Sequence, residues 1–131
     1  MAGAGVSGRG CATVLRGLGA DLVVADGNAD SRATLAADLG VATVDTAAVD
    51  PAEFSLVVTS PGWAPSSPLL VAAAAAGVEV IGDVELAYRL DKAEVFGPTR
   101  TWLAVTGTNG KTTTTGMLAA VMAADEKRSG K

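Results

Sequence analysis

Residues 3–8, GAGVSG, decide how the rest of the chain is read. The spacing Gly3-x-Gly5-x-x-Gly8 opens a predicted helix, and Asp26 closes the next apolar run about twenty residues later, as in a nucleotide-binding strand–turn–helix. Glycine permits the tight turn and lets a phosphate approach backbone N–H groups at a helix N-terminus, where the dipole favours negative charge. A glycine turn that merely joins a strand to a helix would look the same, so the loop by itself does not name a ligand.

Working outward, short apolar β-branched runs alternate with longer alanine- and leucine-rich runs, which predicts an α/β fold with a parallel sheet covered on both faces. The expected strands are 21–26, 41–44, 55–60, 78–82 and 101–106. The expected helices are 8–19, 31–40, 67–77, 83–94 and 111–125, several closing on a glycine that can adopt a left-handed C-cap (Gly19, Gly40, Gly77). The segment 95-VFGPTR-100 reads as a linker, dividing the chain into residues 1–97 and 98–131. A turn like 3–8 should follow a buried strand, yet only Met1 and Ala2 precede it. The expectation is therefore that the central strand is missing and that the chain is an N-terminal fragment. Such a fragment would leave two strands lacking a neighbour.

Composition narrows the chemistry. Ten basic against fourteen acidic residues give a net charge of −4, which leaves no basic face for a nucleic-acid backbone. Histidine is absent, so triads and imidazole metal ligands cannot be built from this chain. The single Cys11 cannot form an internal disulfide and reads as a small core residue in a reducing, cytoplasmic setting. The longest apolar stretch, 69–82, contains Glu79 and is shorter than the roughly twenty residues a bilayer requires.

A second loop, 106-TGTNGKTT-113, ends the apolar run 101–106 and begins a helix. Its glycines let backbone amides converge, Lys111 can hold β- and γ-phosphates, and the Thr112 hydroxyl can ligate Mg²⁺. The implied chemistry uses ATP. Val105 stands where the ordinary Walker pattern has its first glycine, so the loop is a compact variant.

The stretch 106-TGTNGKTTTT-115 resembles the ATP-binding loop of the Mur ligases, the ATP-dependent amino-acid ligases of peptidoglycan synthesis. Related folylpolyglutamate synthases share much of it. The glycine turn 3–8, 24-VADGN-28, 60-SPG-62 and 80-VIGDVEL-86, in this order before the loop, make the whole chain similar to the D-glutamate-adding branch of that family. The resemblance implies a Rossmann-like domain that holds a UDP-sugar, followed by the first strand, P-loop and helix of an ATPase domain. It places Gly5, Val6, Ser7 and Gly8 at the UDP phosphates, Asp26, Gly27 and Asn28 near the uracil, and Ser60, Pro61 and Gly62 on the other side of that pocket. ATP would be held by Gly107, Thr108, Asn109, Gly110, Lys111, Thr112 and Thr113, with Lys111 catalytic and Thr112 on the metal. The implied substrates are UDP-N-acetylmuramoyl-L-alanine, D-glutamate and ATP, and the implied step is amide formation through an acyl phosphate. A chain ending at Lys131 would lack most of that machinery and is expected to be inactive alone.

Besides a non-enzymatic reading, a regulatory or decaying fragment that binds uridine nucleotides and does nothing else, two alternatives stay open on the residues. One is another Mur ligase, adding L-alanine, L-lysine or diaminopimelate; the first of these typically carries histidine where Asn109 stands. The other is an NAD-binding domain, suggested by the glycine turn with Asp26 and opposed by the second phosphate loop.

Overall fold

The computed structural model describes residues 1–129; the end of the predicted second segment, 130–131, lies outside the described residues. Two compact units are present, Met1–Pro98 and Thr99–Lys131.

In the first unit four short strands form, β1 (Val23–Ala25), β2 (Ala42–Val44), β3 (Leu56–Thr59) and β4 (Glu79–Gly82). All pairing is parallel: Val24 lies opposite Thr43, and Val58 opposite Ile81. Parallel strands need crossovers: α2 (Ala29–Leu39) joins β1 to β2 and α3 (Pro68–Ala75) joins β3 to β4, while α1 (Val6–Gly17) leads into β1 and α4 (Asp83–Lys92) follows β4.

No strand forms ahead of the glycine turn, and a single isolated bridge residue stands at that position. Residues 1–3 stand between β1 and β3, with Ala2 bridged in parallel to both Ala25 and Thr59. Ala2 N–H donates to Val58 O (2.7 Å) and Gly3 N–H to Ala25 O (2.8 Å), while Ser60 N–H donates to Ala2 O (3.1 Å). A one-residue ladder thus joins β1–β2 to β3–β4, because every inward-facing backbone group that Met1–Gly3 can reach finds a partner there.

Strand alternation sends successive side chains to opposite faces. On one face Ala2, Ala25 and Val57 pack with Leu69, Leu70 and Ala73 of α3. On the other, Val24 packs with Ala12 of α1 and Leu35 of α2, and Val58 and Ile81 pack with Leu86 of α4. Leu35 is fully buried. Burying a leucine of this kind contributes about 1.5–3 kcal/mol.

Helix ends follow local chemistry. Asn28 caps α2, its Oδ1 accepting from Ser31 N–H at 2.9 Å, and Gly40 closes that helix at φ 62°. Gly19 and Gly77 also take positive φ just beyond α1 and α3. Asp83 is the first residue of α4 rather than its cap, which is Gly82; its Oδ1 accepts from the next N–H, of Val84. Two short 3-10 turns, Thr46–Ala48 and Pro51–Glu53, are capped by Asp45 and Asp50.

In the second unit, α5 (Lys111–Ser129) follows the glycine loop. The strand expected at 101–106 does not form. A strand is defined by hydrogen bonds to a neighbour, and among the described residues of this unit no other segment is extended to receive them. Trp102 and Leu103, the core of that apolar run, are exposed.

Candidate nucleotide sites

The first site lies at the carboxyl edge of the first unit's sheet, where ligands of open α/β sheets bind. Three segments leave the sheet there side by side: the glycine turn after Ala2, residues 26–28 after β1, and residues 60–62 after β3.

Close packing explains two of the glycines, against backbone at Gly8 and against side chains at Gly3. A Cβ at Gly8 would collide with the carbonyl of Gly3, so α1 meets its own turn at a distance that only glycine allows. Gly3, at φ 101°, lies against the Ser60 hydroxyl and the Trp63 indole nitrogen. Gly5 then caps α1 with no side-chain bond, and no acidic residue occupies the helix's first turn. The positive end of the helix dipole is therefore left for an anion. Val6 is 94% exposed in that first turn, beside Ser7.

Asp26 holds two loops together. Its Oδ2 accepts from Ala4 N–H at 2.7 Å and its Oδ1 from Asn28 N–H at 2.8 Å. One carboxylate thus fixes the glycine turn to the loop after β1. Asn28, expected near a base, spends its side-chain oxygen on the α2 cap. Gly27 sits exposed between them.

Ser60 is half-buried, Pro61 and Gly62 are exposed, and Trp63 N–H donates back to Ser60 O at 3.4 Å, closing the turn. Beyond Trp63, a cavity of about 350 Å³ opens between the carboxyl ends of β3 and β4 and helix α3, bounded by Thr59, Pro65, Leu70 and Gly82.

Two residues matter here that the sequence reading passed over. Arg32 Nη1 donates to Asp26 O (2.5 Å) and to Asp45 Oδ2 (3.0 Å), tying the loop after β1 to the end of β2. Trp63 packs its indole against Gly3. Trp63 adjoins the quoted 60–62 turn and could have been noticed; Arg32 is six residues from Asp26 on a helix and carries no motif.

The second site is the loop of the other unit. Gly107 (φ 151°) and Gly110 (φ 77°) take backbone angles that side chains disfavour. Lys111 Nζ turns back over the loop, donating to Gly107 O at 2.6 Å and Thr108 O at 3.3 Å. Asn109 lies between these glycines, and Thr112 and Thr113 occupy the exposed first turn of α5. A cation folded over glycine-rich backbone at a helix N-terminus is an anion cradle in form. Among the described residues no group of three or more Cys, Asp or Glu could hold a metal by itself. The Thr112 hydroxyl offers one oxygen, which suits Mg²⁺ only when phosphate oxygens and waters complete the shell.

The family model for the Mur ligase MurD-like N-terminal domain matches residues 1–82, the span that contains the whole first site. The chain belongs to the MurD-like Mur ligase family. Among curated proteins, this MurD-like chain is 59% identical to the UDP-N-acetylmuramoylalanine--D-glutamate ligase of Corynebacterium diphtheriae over 93% of its own length and 26% of that protein's. It is 62% identical to the ligase of the same name from Corynebacterium efficiens, again over 93% of the chain and 26% of the relative. The ligase of that name from Mycobacterium avium is 54% identical over 98% of the chain and 27% of the relative. The MurD-like chain thus spans about a quarter of the length of the relatives it matches. No solved structure gives a significant match.

Proposed function

We propose that the chain carries the UDP-sugar-binding domain and the ATP loop of an ATP-dependent ligase that joins D-glutamate to UDP-N-acetylmuramoyl-L-alanine in the cytoplasm. The observation that supports this best is the convergence of the uncapped α1 N-terminus, the Asp26-locked loop and the Ser60–Gly62 turn at one sheet edge. The names of relatives at 54–62% identity support the same reading.

In this reading the first-turn amides of α1, around Val6 to Gly8, take the diphosphate, and Gly8 lets it come close to backbone. Asp26 keeps the turn in shape for it, while the main chain of Gly27 and Asn28 and the turn at Pro61 and Gly62 flank the uridine. In the second unit Lys111 leaves its own loop carbonyls to meet the β- and γ-phosphates, and Thr112 supplies one hydroxyl oxygen to Mg²⁺, which neutralises phosphate charge when bound. The substrate carboxylate attacks the γ-phosphorus and ADP leaves; the amine of D-glutamate then attacks the acyl phosphate, expelling phosphate and leaving an amide. The protein's part is alignment and charge neutralisation.

Calorimetric titration of the chain with UDP-N-acetylmuramoyl-L-alanine, with NAD as control, tests the reading once circular dichroism has shown a folded protein. Binding of the UDP compound without NAD is expected. Binding of NAD alone overturns the assignment.

A further inference from the structure

Within the loop 106–113, Asn109 is followed directly by Gly110. Asparagine is among the residues that age chemically: its side-chain Cγ is an electrophile, and the next residue's amide nitrogen is a nucleophile within reach of it. Attack closes a cyclic imide, and glycine in second place leaves the nitrogen unshielded because it has no Cβ. Folding suppresses the reaction where it ties the amide side chain or the nitrogen into hydrogen bonds.

At this loop neither is tied. Among the described residues the Asn109 side chain has no hydrogen-bond partner, and the Gly110 N–H donates to none. Gly110 stands just ahead of α5 at φ 77°, and its carbonyl accepts from Thr114 N–H at 2.9 Å. Both residues are exposed, so water and hydroxide reach them. Charge favours the reaction as well. The Lys111 ammonium lies over the carbonyls of Gly107 (2.6 Å) and Thr108 (3.3 Å), next to Asn109, and the positive end of the α5 dipole falls at Gly110. Both stabilise the anionic nitrogen that attacks and the carboxylate that results.

The chain has two asparagines and no glutamine, and the other asparagine is the contrast. Asn28 precedes Ala29, whose methyl shields the nitrogen, and its Oδ1 is committed to Ser31 N–H at 2.9 Å as the α2 cap. Asp26 is also followed by a glycine, but its two carboxylate oxygens are held by Ala4 N–H and Asn28 N–H.

We propose that Asn109–Gly110 is a site of spontaneous deamidation, a modification that sets a carboxylate inside the loop's own anion cradle. Hydroxide takes the Gly110 amide proton, the nitrogen bonds to Asn109 Cγ, and the Cγ–Nδ2 bond breaks with release of ammonia. Water then opens the imide at either carbonyl, leaving aspartate, or isoaspartate with an added main-chain carbon. Either product competes for Lys111 and repels phosphate oxygens. The chemistry does not rest on the ligase reading; the loss of nucleotide affinity rests on its ATP loop.

The test ages the 131-residue chain in mildly alkaline buffer and follows both asparagines by mass-spectrometric peptide mapping, with isoaspartate located by an isoaspartyl methyltransferase. Asn109 should convert roughly tenfold or more faster than Asn28, whose cap bond must first break, with isoaspartate exceeding aspartate and a rate that falls in mildly acidic buffer. The free peptide 104–115 should convert within about threefold of the folded chain, and protection in the chain by more than about tenfold overturns the proposal. Equal rates at Asn109 and Asn28 overturn it too. Gly110→Ala shields the nitrogen even where its positive φ disturbs the loop, so conversion unchanged in that variant counts against the imide route. Calorimetry with ATP and Mg²⁺ reads the consequence: Asn109→Asp and the aged chain should bind several-fold more weakly than fresh chain, and equal affinity overturns the placement of the new charge against phosphate. Conversion of Asn109 in a fresh chain that binds no ATP supports the deamidation while counting against the ATP reading.

Discussion

Met1–Pro98 and Thr99–Lys131 start from the same kind of local pattern, an apolar run followed by a glycine loop and a helix, and they end differently. In the first unit each run meets another: Val23–Ala25 pairs with Ala42–Val44, Leu56–Thr59 with Glu79–Gly82, and even the two residues before the glycine turn find partners on both sides. In the second, 101–106 meets no strand among the described residues and takes no strand form, while α5 forms with its apolar Met117, Val121 and Met122 exposed. Helix hydrogen bonds close within one segment, whereas strand hydrogen bonds require a second. A loop such as 106–113 can therefore keep its shape where the strand that should lead into it does not.

The sharpest way to break this contrast is to delete packing in each unit. Leu35→Ala, at a fully buried position between α1, α2 and β1, should cost about 2–5 kcal/mol in urea unfolding. Met122→Ala on α5, 49% exposed, should fall within about 0.5 kcal/mol of the parent. Comparable losses at the two positions would mean that α5 is packed as tightly as α2.

A glycine pair gives opposite signs. Gly8→Ala drives a methyl into the Gly3 carbonyl and should destabilise by about 1–3 kcal/mol, as overpacking does. Gly116→Ala, mid-helix in α5 with open space around its Cα, should raise helicity by circular dichroism and stabilise by up to about 1 kcal/mol. Stabilisation by both substitutions would remove the close approach of α1 to its turn as an explanation.

The smallest effect concerns the surface cluster on β4 and α4. Arg89 makes a two-pronged pair with Glu79 (2.9 and 2.7 Å) and a third bond to Glu85 (2.8 Å). Hydrogen bonding from Arg89 holds the Glu79 carboxyl below its usual range and raises the Arg89 guanidinium. A carboxylate depressed on folding stabilises at pH above its unfolded value and loses that contribution as pH falls through the folded one. Acid titration of Tm should thus be shallower for Glu79→Gln than for the parent below about pH 4.5. Identical slopes would show that solvent screens the pair completely.

Much of the first site was legible before any coordinates. Gly3, Gly5, Gly8 and Asp26 declare a strand–turn–helix because glycine at those spacings has few other uses, and Ser60–Gly62 marks a turn by residue type alone. Arg32 was not legible, since nothing local distinguishes a helix arginine that reaches two loops from one in solvent. Nor was the division of Asp26 between two amides, or the use of Asn28 as a helix cap, because both depend on where the chain returns.

The sequence by itself determined the α/β alternation, the helix-closing glycines, both glycine loops and the family. Those are properties of residue type and spacing, written within one turn or one strand. Tertiary structure decided which apolar runs became strands, how Ala2 joined two pairs of strands into one sheet, and what Asp26, Arg32 and Trp63 touch. Each of those depends on groups far apart in the chain meeting at hydrogen-bonding distance, and no local pattern encodes that meeting.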